Sequence, residues 1–255
     1  MSNEHEADST FENMTALVIG GASGIGAACS SRLASGGARV VVADVNVELA
    51  QEVADSIGHG SVACVCDVTN VGGPEEAVSI AVGLGGGLQI AVNCAGISGG
   101  PPKLTGEFDL ENWQQIIDVN VNGMFYSLRA ELAAMHLLGS NASIVNIASI
   151  LGVVGVPGRS AYIASKHAVI GLTRAAALDY APMGIRVNAV GPGYTDTPML
   201  AGISEEIKDR AVGRHPLGRF GTAQEIAEIV CFLASPSASF ITGAFYPADG
   251  GYTAQ

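Results

Sequence analysis

Seven short runs of Val, Ile and Ala recur along the chain, separated by longer stretches of helical periodicity. The runs are TALVIG (15–20), ARVVVAD (38–44), SVACVCD (61–67), LQIAVNC (88–94), ASIVNIA (142–148), IRVNAVG (185–191) and SFITGAFYP (239–247). Most are apolar almost throughout rather than at alternate positions, the pattern of strands covered on both faces. The segments near 25–35, 47–57, 75–83, 111–138, 160–181 and 223–234 read as helices. Regular strand-helix alternation predicts an α/β fold, a doubly wound seven-stranded parallel sheet with right-handed crossovers and helices on both faces. There is no internal repeat or linker, so 14–255 reads as one domain behind a polar tail, 1–13. A stretch rich in Pro, Gly and charge, 192–222, interrupts the rhythm before the last helix and is expected to form a small substrate lobe.

Composition narrows the functions. Twenty-four Asp and Glu against 12 Lys and Arg give a net charge of −12, which argues against a nucleic-acid partner. At 48% hydrophobic the chain has ample material for a core, so disorder is excluded. The opening MSNEHEADST has neither the basic start nor the apolar stretch of a signal peptide, and no apolar run suits a membrane span, so no membrane partner is expected. Five cysteines (29, 64, 66, 94 and 231) without C-x-x-C spacing read as reduced core thiols of a cytoplasmic protein. The histidines (5, 59, 136, 167 and 215) form no pair at ligand spacing, so no metal is expected.

The first strand runs straight into Gly20-Gly21-Ala22-Ser23-Gly24-Ile25-Gly26 and then a helix. Free N–H groups and the dipole at a helix start favour a pyrophosphate, and glycines let it approach the backbone. Asp44 ends the second strand, 20 residues beyond Gly24. A carboxylate there accepts both hydroxyls of an adenosine ribose and repels a 2′-phosphate, and Asn46 rather than a base follows, so the expected cofactor is NAD.

With these features the sequence resembles the short-chain dehydrogenase/reductase family, in its single-domain Rossmann-fold branch of about 250 residues. The resemblance runs from about residue 14 to the C-terminus. It rests on VIGGASGIG (18–26), CDVT (66–69), VNCAG (92–96), NVNG (120–123), Ser149, YIASK (162–166), NAVGPGYTDTPM (188–199) and DGGYT (249–253), in that order. It implies the catalytic set Asn120, Ser149, Tyr162 and Lys166. It also implies cofactor contacts at Gly20, Ser23, Gly24, Ile25, Gly26, Asp44, Asp67, Val68, Asn93, Ala95, Gly96, Tyr162, Lys166, Pro192, Gly193, Thr195 and Thr197. Asn120 is implied to hold a water that relays protons from Lys166. Ile19 departs from the family, which usually has Thr just before the first glycine; losing that hydroxyl is expected to loosen the turn at a cost of about 1 kcal/mol.

Tyr162 and Lys166 lie four apart on the helix 160–181, on one face. A free phenol is a poor base at neutral pH; a nearby ammonium and a positive nicotinamide ring are expected to lower its pKa. Tyr162 then exchanges a proton with the substrate oxygen, while Ser149 hydrogen-bonds that oxygen. Ser149 lies in no G-x-S-x-G elbow, against a nucleophilic serine.

Ser149, Leu151, Tyr162, Tyr194 and Leu200 are the expected substrate contacts, with Ile150, Val153, Val156, Met199 and Ile203 around them. This apolar set fits a neutral secondary alcohol, alicyclic alcohol or ketone better than a sugar or an acid; Arg159 offers an alternative, recognition of an anion. Competing functions are a 3-oxoacyl-carrier-protein reductase, disfavoured by Asp44 and the acidic balance, and a nucleotide sensor without catalysis, which has no need of the Tyr162–Lys166 pair. The resemblance further implies a homotetramer.

Overall fold

In the computed structural model, which describes residues 9–138, 141–202 and 204–255, TALVI forms β1 (Thr15–Ile19), every residue buried. It lies between β2 (Arg39–Asp44) and β4 (Ile90–Asn93), parallel to both. With β3 (Val62–Val65), β5 (Ser143–Ile147), β6 (Arg186–Pro192) and β9 (Phe245–Ala248) they form a seven-stranded parallel sheet in the order β3-β2-β1-β4-β5-β6-β9. Alternate residues of β1 serve two separate cores. Leu17 and Ile19 pack with Val41, Met135 and Val169; Ala16 and Val18 pack with Leu33, Val42 and Val230. Apolar character at every position follows from this two-sided burial.

Helices α1 (Gly24–Ser35), α2 (Val47–Ile57) and α8 (Ala223–Ala234) contribute to one core. Helices α3 (Gly72–Gly83), α5 (Gly123–Leu138) and α6 (Ser160–Tyr180) contribute to the other. The expected single helix 111–138 is divided: α4 (Leu110–Ile117) passes through a π-helical turn, Asp118–Asn122, into α5. The Asn120 side chain at its centre both donates to and accepts from the Ile97 backbone, which draws the turn toward β4.

Three further differences have local causes. The final strand begins at Phe245 rather than 239, because the Asn188 side chain holds Ile241 O and Ala244 N in place of a ladder. Within 192–222, α7 (Glu205–Val212) is a short, mostly charged helix that buries only Ala211, started by Ser204 accepting from the Ile207 amide. Two-residue strands β7 (Thr195–Asp196) and β8 (Gly221–Thr222) pair in parallel and close that stretch on itself. Phe11, expected in the polar tail, is buried against Leu33 and Gly36, and its amide donates to Gly36 O at 2.8 Å; residues 1–8 of that expected tail lie outside the described residues. No helix among the described residues is long and apolar enough to cross a membrane.

Candidate active site

The C-terminal ends of the strands open into a cleft of about 1360 Å³. A site for one small ligand holds about 300–1,000 Å³, so this one has room for a dinucleotide and a second molecule. Its floor is the glycine turn. Amides of Gly20 and Gly21 donate to Ala43 O at 2.8 and 3.1 Å, and Ile19 O accepts from Cys94 and Ala95 at 2.8 and 3.1 Å. The buried Ile19 thus leaves the turn tied by backbone to both neighbouring strands. Gly20 has φ +78°, and a Cβ there would lie 2.5 Å from the Ala95 nitrogen. Ser23 occupies the N-cap of α1 without a side-chain capping bond, and Ser23, Gly24, Ile25 and Gly26 line the cleft. First-turn amides without a side-chain cap, beside side-chain-free backbone, fit a pyrophosphate.

At the end of β2, Asp44 accepts from the Ala22 amide at 3.1 Å and the Asn46 amide at 3.0 Å, and lines the cleft. Asp67 accepts from the Thr69 amide and hydroxyl at 2.9 and 2.7 Å; Val68, beside it, packs on Gly123. Ala95, Gly96, Pro192, Gly193, Thr195 and Thr197 also line the cleft. Thr197 lies over Gly24, where a Cβ would stand 3.2 Å from the threonine Cβ. A Cβ on Gly193 would meet His215 Nε2 at 2.8 Å.

Ser149, Tyr162 and Lys166 line one stretch of this cleft. Ser149 follows β5 and caps a short 3-10 turn, Ile150–Gly152, accepting from the Leu151 amide at 3.1 Å. Tyr162 stands in the first turn of α6 and Lys166 one turn on, its Nζ 5.7 Å from the Tyr162 ring centroid. The buried Lys166 donates to Ile147 O at 2.9 Å, and burial lowers its pKa to about 8. Burial also raises the Tyr162 pKa, while a hydrogen bond with Ser149 and the charge of Arg159 act the other way. The expected acidic phenol is therefore not a property of the polypeptide alone. Desolvation of the phenolate is the larger effect, and the ammonium is directed to a carbonyl.

Asn120 is buried with its side chain committed. Oδ1 accepts from the Ile97 amide at 2.8 Å, and Nδ2 donates to Ile97 O at 2.9 Å and Ser165 Oγ at 3.0 Å. A Cβ on Gly96 would lie 3.3 Å from Asn120 Oδ1 and 3.4 Å from Lys166 Nζ, so the missing side chain keeps the space between them open.

Leu151, Tyr194 and Leu200 line the cleft with Ile150, Val156, Met199 and Arg159. Val153 is 45% exposed and is not part of the lining; Ile203 lies outside the described residues. Asn93 is also displaced from its expected place. Its side chain is buried beneath the sheet, donating to Glu131 Oε2 and Asn146 Oδ1, both at 3.0 Å, and those acceptors are themselves fully buried. Two groups escaped sequence reasoning. Glu131 is wholly buried, and burial raises its pKa to about 7; its one signal is an acid within the apolar stretch LRAELAAM. His215 is buried with Nδ1 2.7 Å from Ala211 O, and its Nε2 accepts from the Tyr194 amide at 3.3 Å, which fixes the loop bearing that tyrosine. Its signal is only an i, i+4 register with Ala211.

A family model described as enoyl-(acyl carrier protein) reductase matches residues 20–253. Together with the parallel sheet and the cleft, this match shows that the chain belongs to the short-chain dehydrogenase/reductase family. It is an oxidoreductase of CH–OH groups that binds a nicotinamide cofactor. Among its relatives, the cyclohexanol dehydrogenase of Acinetobacter sp. (strain SE19) is 45% identical over 248 residues, 96% of this chain and 97% of that one. The cis-4-hydroxycyclohexanecarboxylate dehydrogenase of Sinomonas cyclohexanicum is 42% identical over 247 residues, 96% and 98% of the two chains. The crystal structure of a 3-ketoacyl-(acyl-carrier-protein) reductase from Brucella melitensis, complexed with NADH, superposes with a TM-score of 0.90 at 33% identity, covering 95% of this chain and 99% of that one.

Proposed function

We propose that this chain interconverts a secondary ring alcohol and its ketone with NAD(H), using Tyr162 as the general base and acid. The observation that carries the reading is the presence of Ser149, Tyr162 and Lys166 in the same cleft as the glycine turn and Asp44. A nicotinamide dinucleotide supplies, when bound, the acceptor of the carbinol hydride or its donor in the reverse direction.

The chain's own residues do the rest. Gly20, Ser23, Gly24, Ile25 and Gly26 present backbone to the pyrophosphate. Asp44 takes the adenosine ribose hydroxyls and disfavours a 2′-phosphate, which makes the cofactor NAD rather than NADP. Asp67 and Val68 border the adenine, Ala95 and Gly96 the middle of the dinucleotide, and Pro192, Gly193, Thr195 and Thr197 the carboxamide. Asn93 supports β4 from beneath without touching the ligand. Lys166 holds the second ribose, and its charge favours phenolate at Tyr162 once the proton moves. Tyr162 takes the hydroxyl proton during oxidation and returns it during reduction, a step worth about 10²–10⁴ in rate. Ser149 hydrogen-bonds the same oxygen as its charge develops. Asn120 fixes the floor beside Lys166, where the space over Gly96 admits a proton-relaying water.

Ile150, Leu151, Val156, Met199 and Leu200 supply an apolar wall suited to a saturated ring. Two relatives are named for cyclohexanol and a hydroxycyclohexanecarboxylate. The proposal extends to a homotetramer, to which exposed Phe125 on α5 and Leu178 on α6 offer apolar surface, and to a cytoplasmic location. A panel of cyclic and open-chain secondary alcohols with NAD, followed by NADH fluorescence, tests the activity. Ring alcohols are expected to give the highest kcat/KM; a better rate with acyl thioesters in the reverse direction would contradict it.

A further inference from the structure

The charges lining the cleft are unevenly distributed. Among the described residues its acids are Asp44 and Asp67, at the β2 and β3 ends, whereas Arg159, Arg210 and Arg214 border the opposite, substrate end. In a chain of net charge −12, three arginines around an apolar substrate wall call for a cause.

The state of each arginine separates structural from available cations. Arg32, Arg129, Arg210 and Arg219 each pair with a glutamate at 2.6–3.0 Å. Arg39 and Arg186 are committed to backbone carbonyls inside the fold. Arg159 and Arg214, the two remaining arginines that line the cleft, differ from both groups; Arg174, on α6, is not in the lining. Arg159 Nη1 donates to Gly100 O at 2.8 Å, and Arg214 Nη1 donates to the Tyr252 hydroxyl at 3.1 Å. Among the described residues, neither has a carboxylate within 4.0 Å. A carbonyl and a phenol orient a guanidinium without neutralising it, and one bond leaves most of its five donors available. The C-terminal segment steadies the backbone of Arg214 too, through Gln255 Nε2 donating to its carbonyl at 2.8 Å. Arg159, Arg214 and Tyr194 line the same cleft, and the Tyr194 ring lies 6.5 Å from that of Tyr252, whose hydroxyl orients Arg214.

We infer that Arg159 and Arg214 bind the carboxylate of a substrate whose secondary hydroxyl lies at Tyr162, so that the preferred substrate is a ring hydroxy acid rather than a neutral ring alcohol. This deepens the proposed function and rests on it for the position of the hydroxyl. A guanidinium fork matches a carboxylate in a bidentate geometry, and the apolar wall takes the ring between the two polar ends. The chain's own negative charge works against docking an acidic carrier protein, which assigns the anion to a small molecule.

The test separates binding from turnover. Cyclohexanecarboxylate and its methyl ester are titrated into the enzyme–NADH complex, read by NADH fluorescence, for the wild type, Arg214→Gln, Arg214→Lys and Arg159→Met/Arg214→Gln. NADH binding by each variant, measured first, reports a folded nucleotide site. The acid is expected to bind at least tenfold more tightly than the ester, with the advantage reduced in Arg214→Gln, partly restored in Arg214→Lys and lost in the double variant. Equal binding of acid and ester by the wild type, or an advantage that survives the double substitution, would overturn the inference. Turnover of 4-hydroxycyclohexanecarboxylate and its ester, assayed in parallel, answers the other question. If the acid binds as expected but no ring alcohol is oxidised, the proposed reaction fails and the arginine site stands.

Discussion

The Asp44 carboxylate accepts a hydrogen bond from the Ala22 amide at 3.1 Å, joining the end of β2 to the middle of the glycine turn. With its second oxygen on the Asn46 amide, the side chain proposed to meet the cofactor also holds the glycine turn. Asp44→Ala is therefore expected to act twice. The kcat/KM preference for NAD over NADP falls by at least tenfold, and thermal stability falls because two amides lose their acceptor, at about 1 kcal/mol each. Steady-state kinetics with both cofactors and a melting curve check the pair; an unchanged preference with lowered stability would reduce Asp44 to a structural role.

Gly96 is a second place where a minimal change has a defined effect. A Cβ there stands 3.3 Å from Asn120 Oδ1 and 3.4 Å from Lys166 Nζ, so Gly96→Ala narrows the space between them without touching Tyr162. The expected result is a fall in kcat of about tenfold, since Asn120 and Lys166 must give by a few tenths of an ångström and misplacing a catalytic group by about 1 Å costs about 10². Full kcat in that variant would show that the space is not used.

Glu131 gives a pH dependence whose sign is fixed. Its carboxyl titrates at 4.5 in an ordinary environment and at about 7 when buried in the fold. Between those values the native state holds a proton that the unfolded chain has lost, so stability falls as pH rises through this window. The full effect is about 3 kcal/mol, given about 1.4 kcal/mol for each unit between 4.5 and 7. Glu131→Gln is expected to flatten the dependence of Tm on pH between 4.5 and 7; an identical slope in wild type and variant would assign it to other groups.

Much of this architecture is readable in the chain because burial on both faces writes itself into strands such as ALVI and VVVA. The proposed catalytic positions are readable for a different reason: their motifs stand in the order of the family that the sequence resembles, and within that order a phenol and an ammonium four apart on a helix have chemical meaning. What escaped has long-range causes. The π-turn at Asn120 depends on a loop 23 residues away, the late start of β9 on the Asn188 side chain, and the position of Asn93 on acids and amides from α5 and β5. Helix α7 is mostly charged and buries only Ala211, and Phe11 looks like part of a polar tail until Gly36 leaves a place for its ring. The Tyr162 pKa shows the same limit, since spacing reveals a neighbouring cation but not the desolvation that outweighs it.

The most direct measurement pairs NADH binding with turnover of a ring alcohol in Tyr162→Phe. Losing only the hydroxyl, the variant is expected to bind NADH within about threefold of wild type while kcat falls by about 10³ or more. Turnover at the wild-type rate would contradict Tyr162 as the proton-transferring group.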